Sequence, residues 1–334
     1  MIRSPRLTVC AAIVLACLAP AARAADKVSF IMSWIAEAEH GGFYQAVATG
    51  IYAKYGLEVT IRQGGPQLNT AQMLAAGAVD FRIDPNSVGA LNFVRNDVPA
   101  VAVAAIFQKD PQVLIAHPDA GIESLADMKG KPIAISRGAV ESWWRILAAK
   151  YGFSDSQLRP YTFQIGPFLL DKNLVQQGYA TSEPFAIETE GHFTPKVFLL
   201  TDSAGYPSYG ASIETSAAMV ADKPDLVQRL VDASIEGWCS YLYGDPSPAN
   251  ALIKKDNPEM TDAQIAYSYA KMKEYGIIDS GDAKALGIGS MTDAHWHSLF
   301  DAAAGVGLYP KDMDYKKAYT LKFIDKKHGM EAAK

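Results

Sequence analysis

Short apolar runs alternate with amphipathic segments from residue 28 to about residue 200. The runs predict strands at Val28–Ser33, Leu57–Arg62, Asp80–Ile83, Val98–Phe107, Val113–His117, Pro132–Ile135, Arg159–Phe163, Tyr179–Thr181 and Val197–Leu200. Helical spacing of apolar residues covers Phe43–Tyr55, Asn69–Ala76, Ser87–Val94, Val140–Tyr151 and Pro167–Val175. This alternation is the signature of a largely parallel α/β sheet. Beyond Ala217 the pattern turns helical, over Pro224–Tyr243, Ser247–Lys255, Thr261–Tyr275 and Asp293–Val306, with Asp222, Thr261 and Thr292 in N-cap positions. The natural break is Gln108-Lys109-Asp110-Pro111, and a return crossing is expected near Tyr209–Thr215. Two such crossings predict a hinge, with residues 25–108 and 216–334 in one lobe and 109–215 in the other, around a cleft that closes on ligand.

The candidate chemistry lies where predicted strands give way to loops. From Val28 to Arg62 the chain reads as strand, loop, helix and strand, and the loop carries Trp34, Glu37, Glu39 and His40. In open α/β sheets, ligands bind at the carboxyl ends of strands. An aromatic face, carboxylates and the amides of a glycine-ended loop suit a flat polar molecule; the plain alternative is a solvated connector with Trp34 in the core. Gly64-Gly65-Pro66-Gln67 exposes amides before a helix or is simply a tight turn, and it lacks the lysine and hydroxyl of a phosphate-cradling loop. Asp84 and Asn86 sit at the next strand end, where Asn86 is equally suited to capping. Ser136 and Arg137 occupy the matching place in the second lobe and suit a carboxylate, sulfonate or phosphate. Glu183, in Thr181-Ser182-Glu183-Pro184, is placed to accept from an amine or amidine-like ring, while Tyr206 and Tyr209 offer stacking surface near the return crossing. Gln108, on the first crossing, completes the candidates. Of the adjacent Trp143 and Trp144, at most one can face a cleft.

Charge and leader change the picture next. Arg3 and Arg6, the apolar run Leu7–Leu18 and Ala22-Arg23-Ala24 form a secretory leader cleaved near Ala24. Val14-Leu15-Ala16-Cys17 loosely matches a lipoprotein box, but Leu15 fits it poorly, so simple export with a soluble product is the expectation. Removing the leader leaves 28 basic residues against 36 acidic, a formal charge of −8 in place of −5. With no basic run, nucleic acid and anionic membrane are poor partners. Cys10 and Cys17 leave with the leader, so Cys239 stands alone and no internal disulfide is expected.

Catalytic patterns are weak. His117, His192 and His328 are isolated, His295 and His297 diverge on a predicted helix, and neither a G-x-S-x-G elbow nor H-E-x-x-H occurs. Glu37, Glu39 and His40 lack a further His or Cys cluster to complete a metal site, so no metal and no cofactor are expected.

Several segments carry a family resemblance. They are Trp34, His40-Gly41-Gly42-Phe43-Tyr44-Gln45-Ala46, Gly50-Ile51-Tyr52, Tyr55-Gly56-Leu57-Glu58-Val59 and Gly64-Gly65. They continue with Leu74–Phe81, Val103–Gln108, Ile122–Lys131 and Glu236-Gly237-Trp238. In this order, the chain resembles periplasmic solute-binding proteins of ABC importers, in the group sharing the SsuA/THI5-like (NMT1) domain. The resemblance implies an α/β, two-lobe type II periplasmic binding protein fold with a hinge and an interlobe cleft. It implies a periplasmic monomer that hands a small-molecule solute to ABC permease membrane subunits. Family members carry sulfonates, taurine, nitrate-like anions, or thiamine-related pyrimidines and other heterocycles. The likeness to pyrimidine-precursor binders implies that Glu183 accepts from an exocyclic amine while Trp34 or Tyr209 stacks on the ring. An anion carrier would instead centre on Arg137 and the Gly64–Gly65 amides. The family's enzymes, which build the thiamine pyrimidine from a histidine and pyridoxal phosphate, carry a cysteine-rich signature and a lysine and histidine in a segment that reads here Asp84 to Val88, with neither residue.

Overall fold

A computed structural model describes residues 24–324 and Lys327; the expected leader falls on residues 1–23, outside the described residues. The ten strands are β1 (Asp26–Ile31), β2 (Leu57–Arg62), β3 (Phe81–Asn86), β4 (Ala100–Phe107), β5 (Gln112–Ala116), β6 (Ile133–Ile135), β7 (Leu158–Pro160), β8 (Val175–Tyr179), β9 (Lys196–Leu199) and β10 (Gly210–Ser216). They form two five-stranded sheets, ordered β2-β1-β3-β10-β4 and β7-β6-β8-β5-β9. Each is the centre of one lobe of a mixed α/β protein.

Both sheets are mixed rather than wholly parallel. β1 runs parallel to β2 and β3, from Asp26↔Leu57 to Ile31↔Arg62, but β10 runs antiparallel between β3 and β4. The segment expected as a bare return crossing is therefore a strand of the first sheet, and the crossing itself is the stretch before it. In the second sheet β5 is antiparallel to β8 and β9. The helix expected over Pro167–Val175 stops at Leu170, because Asp171 caps a turn through Asn173 N–H (2.9 Å) and Val175 starts β8. The helix expected over Phe43–Tyr55 breaks at Gly50, whose φ of 72° lies in the left-handed region. Asp222 ends the helix Ala217–Asp222 instead of capping the next one, which opens with Pro224 at its first position.

The first core packs Phe30, Phe43, Phe81, Phe107 and Trp238 edge to face. Helix Gly41–Ala48 lies against helix Pro224–Tyr243 so closely that a Cβ on Gly42 would fall 2.2 Å from the Trp238 ring, and one on Gly237 2.3 Å from the Gly42 carbonyl oxygen. The glycines that end the first loop are thus packing residues, and they fix that loop on the long helix. The second lobe packs Val113, Ile115, Phe168 and Ile187. Trp143 and Trp144 are both buried, and the Trp144 indole donates to Asp155 (2.8 Å).

Two chain crossings join the lobes side by side, tied by Asp110 N–H donating to the Ser208 carbonyl (3.1 Å). The C-terminal segment backs this hinge, with Gln108 N–H donating to the Ile277 carbonyl (2.7 Å). Among the described residues no helix is long and apolar enough to cross a membrane.

Candidate functional site

The loop after β1 is held from both sides. The Trp34 carbonyl accepts from Gly64 N–H (2.8 Å), Ala36 N–H donates to Gln63 (2.8 Å), and Asn257 donates to the Ala36 carbonyl (2.9 Å). Past this clamp comes a short 3-10 turn, Ala38–His40, whose Glu39 lies beside Thr181 and Glu183 of the second lobe. Glu39 is only 3% exposed, and neither carboxylate oxygen has a hydrogen-bond partner of ordinary geometry among the described residues. Burial pushes its carboxyl up from the ordinary 4.5 to about 7; the Thr181 hydroxyl favours the charged form, and Glu183 raises the value further. Burial also lifts Glu37 well above 4.5, with the charges of Glu39 and Glu183 adding to it. His40 shares a hydrogen bond with Ser33 (3.2 Å), and burial holds the ring neutral, its value down at about 3, against the pull of the Ile35 backbone.

Glu183 arrives from the other lobe, at the start of helix Glu183–Gly191. Its carboxylate accepts from the Tyr161 hydroxyl (2.9 Å) and Tyr179 N–H (2.7 Å), while burial raises its value. Gly178 makes room for it, since a Cβ there would lie 2.9 Å from the Glu183 Cβ. At the hinge, Asp110 is fully buried: one oxygen accepts from Gln112 N–H (3.1 Å) and the other is unpartnered. Burial raises Asp110 well above 3.8, with the Asp84 charge adding. The Tyr179 hydroxyl feels the charges of Asp110, Glu37 and Glu39 together, and the buried Tyr206, with the Ser208 hydroxyl beside its own, feels Asp110 and Asp84. These groups form one acidic, phenol-lined region running from the hinge to the first loop. No ion pair among the described residues includes Glu37, Glu39, Glu183 or Asp110. No group of three or more His, Cys, Asp or Glu is arranged there, or elsewhere among the described residues, to hold a metal.

Trp34 crosses the cleft to Phe163 of the second lobe, with ring centroids 4.7 Å apart. Phe163 has φ 63°, a left-handed backbone that costs a bulky residue about 1–2 kcal/mol, and its ring also packs on Tyr161 at 5.2 Å. A strained aromatic held at a cleft edge marks a contact point between lobes.

A match to the family described as NMT1/THI5 like runs over residues 37–249. The chain belongs to that family. Among its relatives is the riboflavin-binding protein RibY of Chloroflexus aurantiacus, 26% identical over 307 residues, which cover 90% of this chain and 86% of RibY. A Haemophilus influenzae protein named for thiamine biosynthesis is 23% identical over 240 residues, 68% of this chain and 72% of that protein. The Escherichia coli periplasmic aliphatic sulphonate binding protein SsuA shares the fold, with TM-score 0.67 at 12% identity over 88% of this chain and 91% of SsuA. The NMT1/THI5-like chain thus has the two-lobe fold of periplasmic binding proteins.

The residues singled out from the sequence fall into three places. Glu37, Glu39 and Glu183 meet in the acidic region, with Trp34 and His40 on the same loop and Tyr206 at its hinge end. Gly64, Gly65, Asp84, Asn86, Gln108 and Tyr209 serve the frame around it. Gly64 packs on the first strand's end, where a Cβ would lie 2.4 Å from the Met32 carbonyl oxygen, and Gly65 follows at φ 147°. Asp84 is locked to Arg82 (2.7 Å) and to Gly89 N–H (3.0 Å), Arg82 in turn gripping Glu214 (2.6 Å). Asn86 caps Val88 N–H (3.1 Å). Gln108 spends its amide on the Ala105 and Ser290 carbonyls (3.1 Å each) and on Ala283 N–H (3.2 Å). The Tyr209 ring stacks on His295 at 3.7 Å and its hydroxyl donates to Asp282, which turns it away to the back of the hinge. Ser136 and Arg137 are separate again: Ser136 caps Ala139 N–H (3.3 Å), and Arg137 is 92% exposed, paired with Glu141 (2.9 Å). Asp110, Tyr161, Phe163 and Tyr179 were not among them. The signal for Asp110 was its position on the hinge, since a carboxylate on a crossing segment is buried wherever the lobes meet.

Proposed function

We propose that this protein is the exported substrate-binding component of an ABC importer, and that its solute is a small flat nitrogen heterocycle rich in hydrogen-bond donors. An aminopyrimidine of the thiamine-precursor type is the leading candidate. The observation that carries this reading is the buried Glu39 carboxylate, with only the Thr181 hydroxyl beside it, next to Glu37 and Glu183 with no ion-paired cation among them. Such a wall accepts from exocyclic amines and protonated ring nitrogens and repels anions. Trp34, Phe163 and Tyr179 supply flat surface for the ring. Sulfonate or nitrate capture has less support: Arg82 is consumed by Asp84 and Glu214, and Arg137 is spent on Glu141 at the surface.

A flavin is the second reading, favoured by the similarity to RibY over nine-tenths of the chain. The isoalloxazine also presents a donor-bearing pyrimidine edge. Calorimetry against an aminopyrimidine, riboflavin, taurine and an alkanesulfonate decides among these. One heterocycle is expected to bind and to raise the melting temperature by mass action. Binding of a sulfonate with silence from both heterocycles overturns the proposal. Ligand eluted from the protein is expected chemically unchanged by mass spectrometry, as transport requires and catalysis does not.

A further inference from the structure

One helix outside both sheets touches both lobes at the acidic region. Helix Asp262–Glu274 is moored to the first lobe by the Tyr269 hydroxyl, which donates to the Leu242 carbonyl (2.7 Å), and by the Tyr269 ring against Tyr241 at 5.6 Å. From its other side, Gln264 Nε2 (3.3 Å) and Ser268 Oγ (2.7 Å) donate to one acceptor, the carbonyl oxygen of Thr181 in the second lobe. Residues four apart share a helix face, so both donors reach the same atom. Tyr267 adds a ring contact to Phe185 at 5.3 Å.

The accepting peptide occupies a sensitive place. β8 ends at Tyr179, so the Thr181 carbonyl lies beyond the sheet ladder. Thr181 and Ser268 are both fully buried, and a buried carbonyl must find donors. The Thr181 hydroxyl lies beside Glu39, and Glu183 follows two residues later. Parting the lobes would withdraw the helix donors from Thr181 and, by the same movement, separate Glu39 from Glu183.

We propose that Gln264 and Ser268 are positioning residues, a latch that holds the Thr181–Glu183 turn against the first lobe and so completes the acidic site only in the closed state. The inference rests on the proposed closure of the cleft and is independent of the ligand's class.

The test uses the mature chain with Cys239→Ser and spin labels at Glu58→Cys and Lys172→Cys, both exposed and each on a different lobe. Interlobe distances are measured by pulsed electron resonance without added ligand. Gln264→Met with Ser268→Ala is expected to shift the distribution to longer distances. Ser268→Thr, which keeps the hydroxyl, is expected to retain the parent distribution. Distributions identical in all three proteins overturn the latch, as does a lengthening that Ser268→Thr shares. Thermal unfolding of each variant separates a general loss of stability, which leaves the distances unchanged, from loss of the latch. Failure of every heterocycle to bind would remove the ligand assignment while leaving the distance result to decide the latch.

Discussion

Glu39→Gln puts the acidic wall to a quantitative test. The side chain is 3% exposed and burial is the main cause that lifts its carboxyl from 4.5 to about 7, with Glu183 adding and the Thr181 hydroxyl opposing. A carboxyl that holds its proton more tightly folded than unfolded contributes stability that is complete below pH 4.5. That contribution drains away as the pH rises through about 7. At about 1.4 kcal/mol per tenfold change, the full loss by pH 8 is about 3 kcal/mol. Glutamine keeps the shape and never ionises. The variant is therefore expected to match the parent near pH 4.5 and to exceed it by up to about 3 kcal/mol at pH 8. Equilibrium urea unfolding at a series of pH values, at fixed ionic strength, measures the difference directly.

The same substitution carries an opposite expectation for binding. A hydrogen bond to a charged acceptor contributes about 1.5–3 kcal/mol, so a donor-rich heterocycle should bind about 10- to 150-fold more weakly. Greater stability at high pH together with weaker binding is the pattern expected of a functional group held in an unfavourable place. A stability difference that stays flat from pH 5 to pH 8 refutes the argument, because it would mean that Glu39 ionises as freely folded as unfolded.

Asp110→Asn keeps the acceptor for Gln112 N–H and removes a carboxyl that burial raises well above 3.8. Its stability relative to the parent should climb as pH rises above that value, and melting curves at pH 5 and pH 8 that run parallel would count against it. Trp34→Ala removes the ring contact to Phe163, an aromatic pair worth about 0.5–1.5 kcal/mol, and should speed ligand release in stopped-flow traces; an unchanged off-rate contradicts its place in closure. Gly42→Ala forces a methyl to within 2.2 Å of Trp238 and should cost about 1–3 kcal/mol or more by urea unfolding, whereas a neutral result would show that the two helices can part freely.

The sequence made the frame readable where the signal is local. The amphipathic run Pro224–Tyr243 appears over those same residues as a helix, and Thr261 and Thr292 cap their helices through Gln264 N–H (3.1 Å) and His295 N–H (3.3 Å). The lobe-forming alternation and the family segments likewise survive as two sheets. What stayed hidden depends on partners far along the chain. Asp84 looked available until Arg82 claimed it together with Glu214, 132 residues beyond Arg82. Gly41 and Gly42 suggested free amides, but their role is set by Tyr241 and Trp238, about two hundred positions away. Arg137 drew attention as a cation at a helix start, and only the folded chain turns it outward to Glu141. Side-chain direction at a strand end is decided by which neighbour arrives, and no local pattern encodes that.

Two buried acidic clusters in this molecule show how structure and function can be told apart. Around Arg82, two carboxylates share one guanidinium: Asp84 at 2.7 Å and Glu214 at 2.6 Å, with the Thr70 hydroxyl accepting a further guanidinium N–H at 3.0 Å. Burial lifts Glu214 to about 8 despite Arg82, so one proton and one cation neutralise the set internally, and it ties β3 to β10. The cluster of Glu37, Glu39 and Glu183 has no such counter-ion among its ion pairs, and the charge of Glu183 raises both Glu37 and Glu39. Packing alone gives no reason to keep three carboxyls together where the lobes meet, since apolar side chains of similar volume are often more stable in such places. On the proposed function, the arrangement would become favourable when a solute brings hydrogen-bond donors or positive charge between the two lobes. A ligand that supplies those donors is bound more tightly as the cleft closes and water leaves, because each bond then strengthens in the lower dielectric. An anion meets the reverse gradient, with repulsion growing as the lobes approach. On the proposed function, closure and ligand selection would be one process, driven above all by a Glu39 carboxyl that no cation of the described residues pairs.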